Sequence, residues 1–269
     1  FMVELLTQLK EVKPFEINSW LQRCQGWKRK YPIVLPEYKE CKDAVNSFYF
    51  VQVLSEKLDD KAVIVTDMGT SFTCTMQTFK TKLGQRLSTS SGHASMGFGL
   101  PGAIGACVGN NRKDTICISG DGGLQMNIQE LQTIVHYKLP IKLFVLNNNG
   151  YLTIKATQQN HFGRFVGAEQ SSGVTCPDII KIARAYGLPT ATVGNTEELN
   201  MKIDSILKTP GPIVCEIIMS ENQPLIPRVS SLKKPDGTII SKPIEDLYPF
   251  LSREEFFENM IVDPTEVLK

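Results

Sequence analysis

The chain has 269 residues, 42% of them hydrophobic, and its 29 Lys and Arg nearly balance 28 Asp and Glu for a net charge of +1. That is enough apolar material for one sizeable core, and with neither sign gathered into a long run there is no electrostatic footprint for nucleic acid or a membrane surface. Seven widely spaced cysteines without a CxxC pair read as small buried hydrophobes in a reducing cytosol and not as a disulfide frame or zinc site.

No stretch has the length of a membrane span or the layout of a secretory leader, so the expected location is the cytoplasm. The opening, Phe ahead of Met, is read as the start of a fragment of something longer. Phe1–Leu9 and Ile17–Leu21 are apolar-periodic, and the basic, proline-bounded Lys28-Arg-Lys-Tyr-Pro-Ile-Val-Leu-Pro36 follows. Residues 1–41 are therefore expected to be a surface helix and linker left from a preceding domain.

From residue 42 a helix and strand rhythm takes over. Ala44–Leu58 has a helical pattern, and Ala62–Thr66 is the first of five continuous apolar runs, the others being Thr115–Ser119, Ile141–Leu146, Thr190–Val193 and Ile213–Met219. Strands buried on both faces lose polar alternation, so these runs predict an α/β fold: a doubly wound, mostly parallel sheet with helices on both faces, over residues 42–222. Ligands of such sheets bind beyond the carboxyl ends of the strands. The extension 223–269 is rich in proline and charge, with a turn signal at Pro235-Asp-Gly237, and is expected to wrap the domain or cap its site.

Two strand ends carry chemistry. Thr115–Asn127 reads as a strand, a glycine turn and a helix start with Asp121 at its tip. Glycines there allow close approach to a ligand, and the amides opening the helix favour an anion. Taken alone, the motif is equally a plain turn with an aspartate cap. Ile141–Leu146 then runs into Asn147-Asn-Asn-Gly150, with 24 residues between Gly122 and Asn147, enough for one helix and the next strand. Neighbouring parallel strands would present Asp121 and Asn148 on one edge, and a carboxylate, an amide oxygen and a free carbonyl suit octahedral Mg²⁺ completed by a diphosphate.

Gly120-Asp-Gly122 followed at this spacing by Asn147-Asn148 resembles the signature of thiamine-diphosphate enzymes, and the flanking words are similar to the acetolactate synthase and pyruvate decarboxylase group. The resemblance implies a thiamine-diphosphate-binding fold and two cofactors, thiamine diphosphate and Mg²⁺. It places the metal on Asp121, the side chain of Asn148 and the carbonyl of Gly150, with the backbone of Gly122 and Gly123 at the diphosphate. Within Thr66-Asp-Met-Gly-Thr-Ser71 it assigns Gly69, Thr70 and Ser71 to the diphosphate, a helix-cap role for Ser71 being the competing reading. In Ser90–Gly105 it makes Met96 the residue that shapes the cofactor and the Ala94 carbonyl an acceptor for its amino group, although relatives often carry glycine at that place. His93 is close enough to this stretch to face diphosphate or substrate; His136 and His161 belong to no cluster.

The same resemblance implies a 2-oxo acid such as pyruvate as substrate and a homo-oligomer, dimer or tetramer. It places the proton-relaying glutamate on a separate pyrimidine-binding domain, usually of another subunit. No glutamate here lies in a matching motif, so no catalytic residue is assigned and the chain alone is expected to be inactive. Acetohydroxyacid synthases are similar in having a tryptophan after the Asn-Asn pair, whereas Tyr151–Phe165 has none and Lys155 falls near that place. Three readings stand: a carboligase or decarboxylase lacking its partner domain, the β-type subunit of a split enzyme, or a non-catalytic assembly module.

Overall fold

The computed structural model describes residues 1–12, 16–233 and 236–262. It begins with α1 (Met2–Leu9), α2 (Asn18–Lys30) and α3 (Ser47–Lys57), then β1 (Val63–Thr66), α4 (Thr70–Thr78), β2 (Arg86–Ser88) and α5 (Gly99–Gly109). The centre comprises β3 (Thr115–Gly120), the single turn α6 (Asp121–Leu124), α7 (Leu131–Tyr137), β4 (Ile141–Asn147) and α8 (Leu152–His161). There follow α9 (Ile179–Ala185), β5 (Thr190–Val193), α10 (Thr196–Lys208), β6 (Ile213–Ile218), the strands β7 (Ser231–Lys233) and β8 (Ile239–Ser241), and α11 (Arg253–Asn259).

Six strands form one sheet in the order β2-β1-β3-β4-β6-β5, every pairing parallel. The five apolar runs are β1, β3, β4, β5 and β6. Alternate residues serve opposite faces. Ile116, Ile118, Phe144, Leu146 and Ile217 meet Phe48, Leu54, Leu199 and Ile203 of α3 and α10. Cys117, Leu143, Val145 and Val214 meet Leu100, Ala103, Ile134 and Ile179 of α5, α7 and α9. Side-chain caps start the flanking helices: Asn46 accepts from the amides of Phe48 and Tyr49, and Asn195 from that of Glu198. Four cysteines are buried in this core as the sequence implied, but Cys24, Cys41 and Cys176 are only partly covered.

β2 is the element that the apolar pattern does not predict: it is short, at the sheet edge, and its side chains are largely exposed, so burial imposes no hydrophobic run on it. Lys142, inside the β4 run, is 1% exposed. Its ammonium leaves the core at the amino end of the strand to meet the carbonyls of Thr209 and Gly211, and burial lowers its pKa.

Part of the stretch assigned to the preceding linker packs on the domain: Tyr38 is buried against Phe48, with Ile33 and Leu35 beside it. α2 is tied to α11, through Trp27 Nε1 donating to Asn259 Oδ1 at 2.7 Å, Tyr31 Oη donating to Glu255 at 2.7 Å and a 2.8 Å Lys30–Glu255 ion pair. The extension is thus fixed to α2 through α11, and its β7–β8 hairpin is antiparallel; Pro235, of the expected turn, lies outside the described residues. No helix among them is long and apolar enough to cross a membrane.

Candidate functional site

Because the sheet is parallel, β1, β3 and β4 deliver their carboxyl ends side by side. Gly120 pairs with Leu146 in the last rung of the β3–β4 ladder, and the Asp67 amide donates to the Ile118 carbonyl at 2.8 Å. The connection from β1 leads to the sheet edge at β2, whereas β3 lies on its other side, so the order in which strands are added reverses here, as at a topological switch point.

Asp121, 1% exposed, accepts from the Gly122 amide at 2.8 Å through Oδ1 and from the Gly150 amide at 3.0 Å through Oδ2. Burial nevertheless prevails over these bonds and pushes its pKa up to about 6. Asn148, 7% exposed, has a buried Oδ1 with no hydrogen-bond partner. Such an orphan acceptor costs about 1–3 kcal/mol unless something electropositive meets it. Its loop is conformationally demanding: Asn149 has φ 57°, and a Cβ on Gly150 would lie 2.4 Å from the Ala168 carbonyl oxygen. The Asn147 side chain steadies the turn by accepting from the Asn149 amide and donating to Glu216.

The sequence-derived metal set is therefore brought together. No group of three His, Cys, Asp or Glu side chains able to hold a metal occurs among the described residues. One desolvated carboxylate and an unsatisfied amide oxygen fit a hard cation that takes its remaining ligands from phosphate and water, as Mg²⁺ does.

Gly69 (φ 75°) is the N-cap of α4 and supplies no side-chain cap, leaving the first amides of that helix open to an anion. Thr70 and Ser71 open the helix and both are buried; the Ser71 hydroxyl is turned back to donate to the Met68 carbonyl at 3.0 Å, so it does not cap the helix. Ala94 adopts φ 54°, a left-handed conformation that strains a residue with a Cβ. Met96 is 39% exposed and so is not core filler. His93 is exposed beside it, while His136 packs on Tyr137 and His161 on Phe162.

Ala94→Gly is expected to raise unfolding free energy by about 1 kcal/mol, because it relieves that left-handed strain. Chemical denaturation checks it, and a loss of stability would mean that the loop does not hold this backbone.

Four residues that sequence reasoning did not single out organise the site. Asp67, fully buried just past β1, accepts from the Met68 and Gly97 amides through Oδ1 at 2.8 and 2.9 Å and from the Ser119 hydroxyl through Oδ2 at 2.8 Å. It thereby joins the Met96 loop to the residues preceding Asp121. Asn127 holds the same loop, donating to the Gly97 carbonyl at 2.9 Å. Tyr151 lies against Gly122, where an added Cβ would fall 2.2 Å from its ring. Cys176 lies beside Asp121, and burial with the neighbouring carboxylate pushes its thiol up to about 12. The only signal for Asp67 was its position: a charged residue directly after an apolar strand.

A family model described as the C-terminal TPP binding domain of thiamine pyrophosphate enzymes matches residues 67–217. The acetolactate synthase large subunit of Cyanidium caldarium is 34% identical over 234 residues, covering 84% of this chain and 38% of that protein. The corresponding subunit of Porphyra purpurea is 34% identical over 247 residues, 90% of this chain and 41% of its own length. Acetolactate synthase 2, chloroplastic, of Nicotiana tabacum is 33% identical over 222 residues, 80% and 33% of the respective chains. The chain thus spans about two fifths or less of the length of these relatives.

Proposed function

The chain belongs to the thiamine pyrophosphate enzyme family, as an acetolactate-synthase-like C-terminal TPP binding domain, and from that premise we propose that it is the diphosphate- and metal-holding part of an enzyme acting on a 2-oxo acid. The observation that carries this reading is the pair at the ends of β3 and β4: a buried carboxylate, Asp121, beside the unpartnered Oδ1 of Asn148. Neither group suits its surroundings without a cation.

Asp121, Asn148 Oδ1 and the Gly150 carbonyl would hold Mg²⁺. The amides of Gly122 and Gly123 and the open start of α4 at Gly69, Thr70 and Ser71 would receive the diphosphate. The Ala94 carbonyl would accept from the cofactor's amino group, and half-exposed Met96 would support the cofactor between its rings. When bound, thiamine diphosphate would supply an electron sink for the electron pair left on the retained carbon when carbon dioxide departs. This chain's own residues bind, orient and hold charge, and the proton-relaying glutamate is assigned to a pyrimidine-binding domain of the same enzyme, on another subunit of a homo-oligomer.

Calorimetry with thiamine diphosphate, with and without Mg²⁺, tests the proposal. Weak binding that requires Mg²⁺ is expected, together with no carbon dioxide from pyruvate until a pyrimidine-binding domain is supplied. Cofactor affinity indifferent to Mg²⁺ would overturn the metal assignment, and robust decarboxylation by these residues alone would overturn the division of the site.

A further inference from the structure

Two cavities meet at Arg228. One, of about 380 Å³, lies between α8 and the segment 222–228 with Tyr248; the other, of about 450 Å³, lies between the end of α8 and the β7–β8 hairpin. They share Gln159, Asn160 and Arg228, and among the described residues no Asp or Glu lines either. The Arg228 guanidinium lies 5.4 Å from the centre of the Tyr248 ring, and the two residues exchange backbone hydrogen bonds of 3.0 and 2.8 Å, which hold its stem. It has no ion-pair partner among the described residues.

The first cavity contains a second cation. The Lys155 ammonium pairs with Glu169 and lies 5.5 Å from the centre of the Phe165 ring, its side chain 14% exposed. With one cation paired and the other not, the recess keeps a positive charge. Its walls are apolar at Leu152, Ala156 and Leu225 and carry side-chain amides. A guanidinium held in such a recess favours an oxyanion, and its planar fork matches a carboxylate through two parallel hydrogen bonds. The volume falls in the range of small-molecule sites, which pair an apolar wall with a few polar anchors.

We propose that this cavity binds a small organic carboxylate, anchored on Arg228 and supported by Lys155, with its apolar chain against Phe165 and Leu225. α8, which walls the cavity, begins just beyond Gly150 and Tyr151, although none of the candidate cofactor residues lines it. Identifying the carboxylate as the 2-oxo acid substrate rests on the function proposed above; the binding itself does not.

The test uses the full chain without cofactor or metal, titrated by saturation-transfer NMR with α-ketoisocaproate and, separately, with its neutral methyl ester. The acid is expected to bind at least tenfold more tightly than the ester. Arg228→Gln should weaken the acid at least tenfold and leave the ester unchanged, and Arg228→Lys should restore part of the loss. Mg²⁺-dependent binding of thiamine diphosphate should be the same in all three proteins. Equal binding of acid and ester, or of acid by the wild type and Arg228→Gln, would overturn the proposal. If the cofactor fails to bind while the acid still depends on Arg228, the functional reading falls and this site stands. If Arg228→Gln lowers cofactor and acid affinity together, the arginine supports the fold and the site is refuted.

Discussion

Asp121→Ala is expected to reduce Mg²⁺-dependent binding of thiamine diphosphate at least a hundredfold and to flatten the pH dependence of stability in the metal-free protein. The first effect follows from removing the one carboxylate in the proposed metal set, beside an Asn148 oxygen that has no other partner. The second follows from the raised pKa. In the folded, metal-free chain burial pushes the Asp121 pKa up to about 6, from 3.8 for a free aspartate. A carboxyl with a raised folded pKa contributes stability that is fully present below the unfolded value and is lost as pH rises through the folded one. Between pH 4 and 7 the metal-free wild type should therefore lose about 2 kcal/mol from this group, a slope that the alanine variant lacks.

Mg²⁺ needs the ionised carboxylate, so wild-type metal affinity should fall roughly tenfold per pH unit below about 6. Urea denaturation at the two pH values, alongside calorimetry, measures both effects. Undiminished Mg²⁺-dependent affinity in the variant would remove Asp121 from the metal set.

Asp67→Ala should cost about 3–5 kcal/mol, because it leaves the Gly97 amide, the Ser119 hydroxyl and the Met68 amide without their acceptor at a buried position. Asp67→Asn should cost about 1 kcal/mol or less. Its Oδ1 can still accept from both amides, while its Nδ2 can donate to the Ser119 hydroxyl, which also accepts. The comparison separates hydrogen bonding from charge. If the asparagine variant is as unstable as the alanine variant, the negative charge of Asp67 matters beyond the three bonds. Loosening the Met96 loop from Ser119 should also weaken cofactor binding in the alanine variant by more than in the asparagine variant, which identifies Asp67 as a positioning residue.

The sheet was legible because burial on both faces demands continuous apolar residues, and the five runs that satisfy this are the five inner or partly covered strands. β2 escaped because an exposed edge of three residues makes no such demand. Gly122, Gly123 and Gly150 stand out in the sequence, but what forbids a side chain at each is a distant group: the Tyr151 ring, the Asp67 carboxylate and the Ala168 carbonyl. Ala94 shows the converse. Its left-handed backbone would have been easier to foresee had glycine stood there.

What the sequence by itself determined is which residues end which strands. With a parallel sheet, the period of two and the helix-length spacing between runs put Asp121 and Asn148 on one edge whatever the rest of the chain does. The tertiary structure alone decided the state of those groups: the raised pKa of Asp121, the unpartnered oxygen of Asn148, the clamp that Asp67 makes across three segments, and the cavity where the extension brings Arg228 to α8. Desolvation and hydrogen-bond satisfaction depend on atoms far apart in the chain, and no local pattern of residues records them.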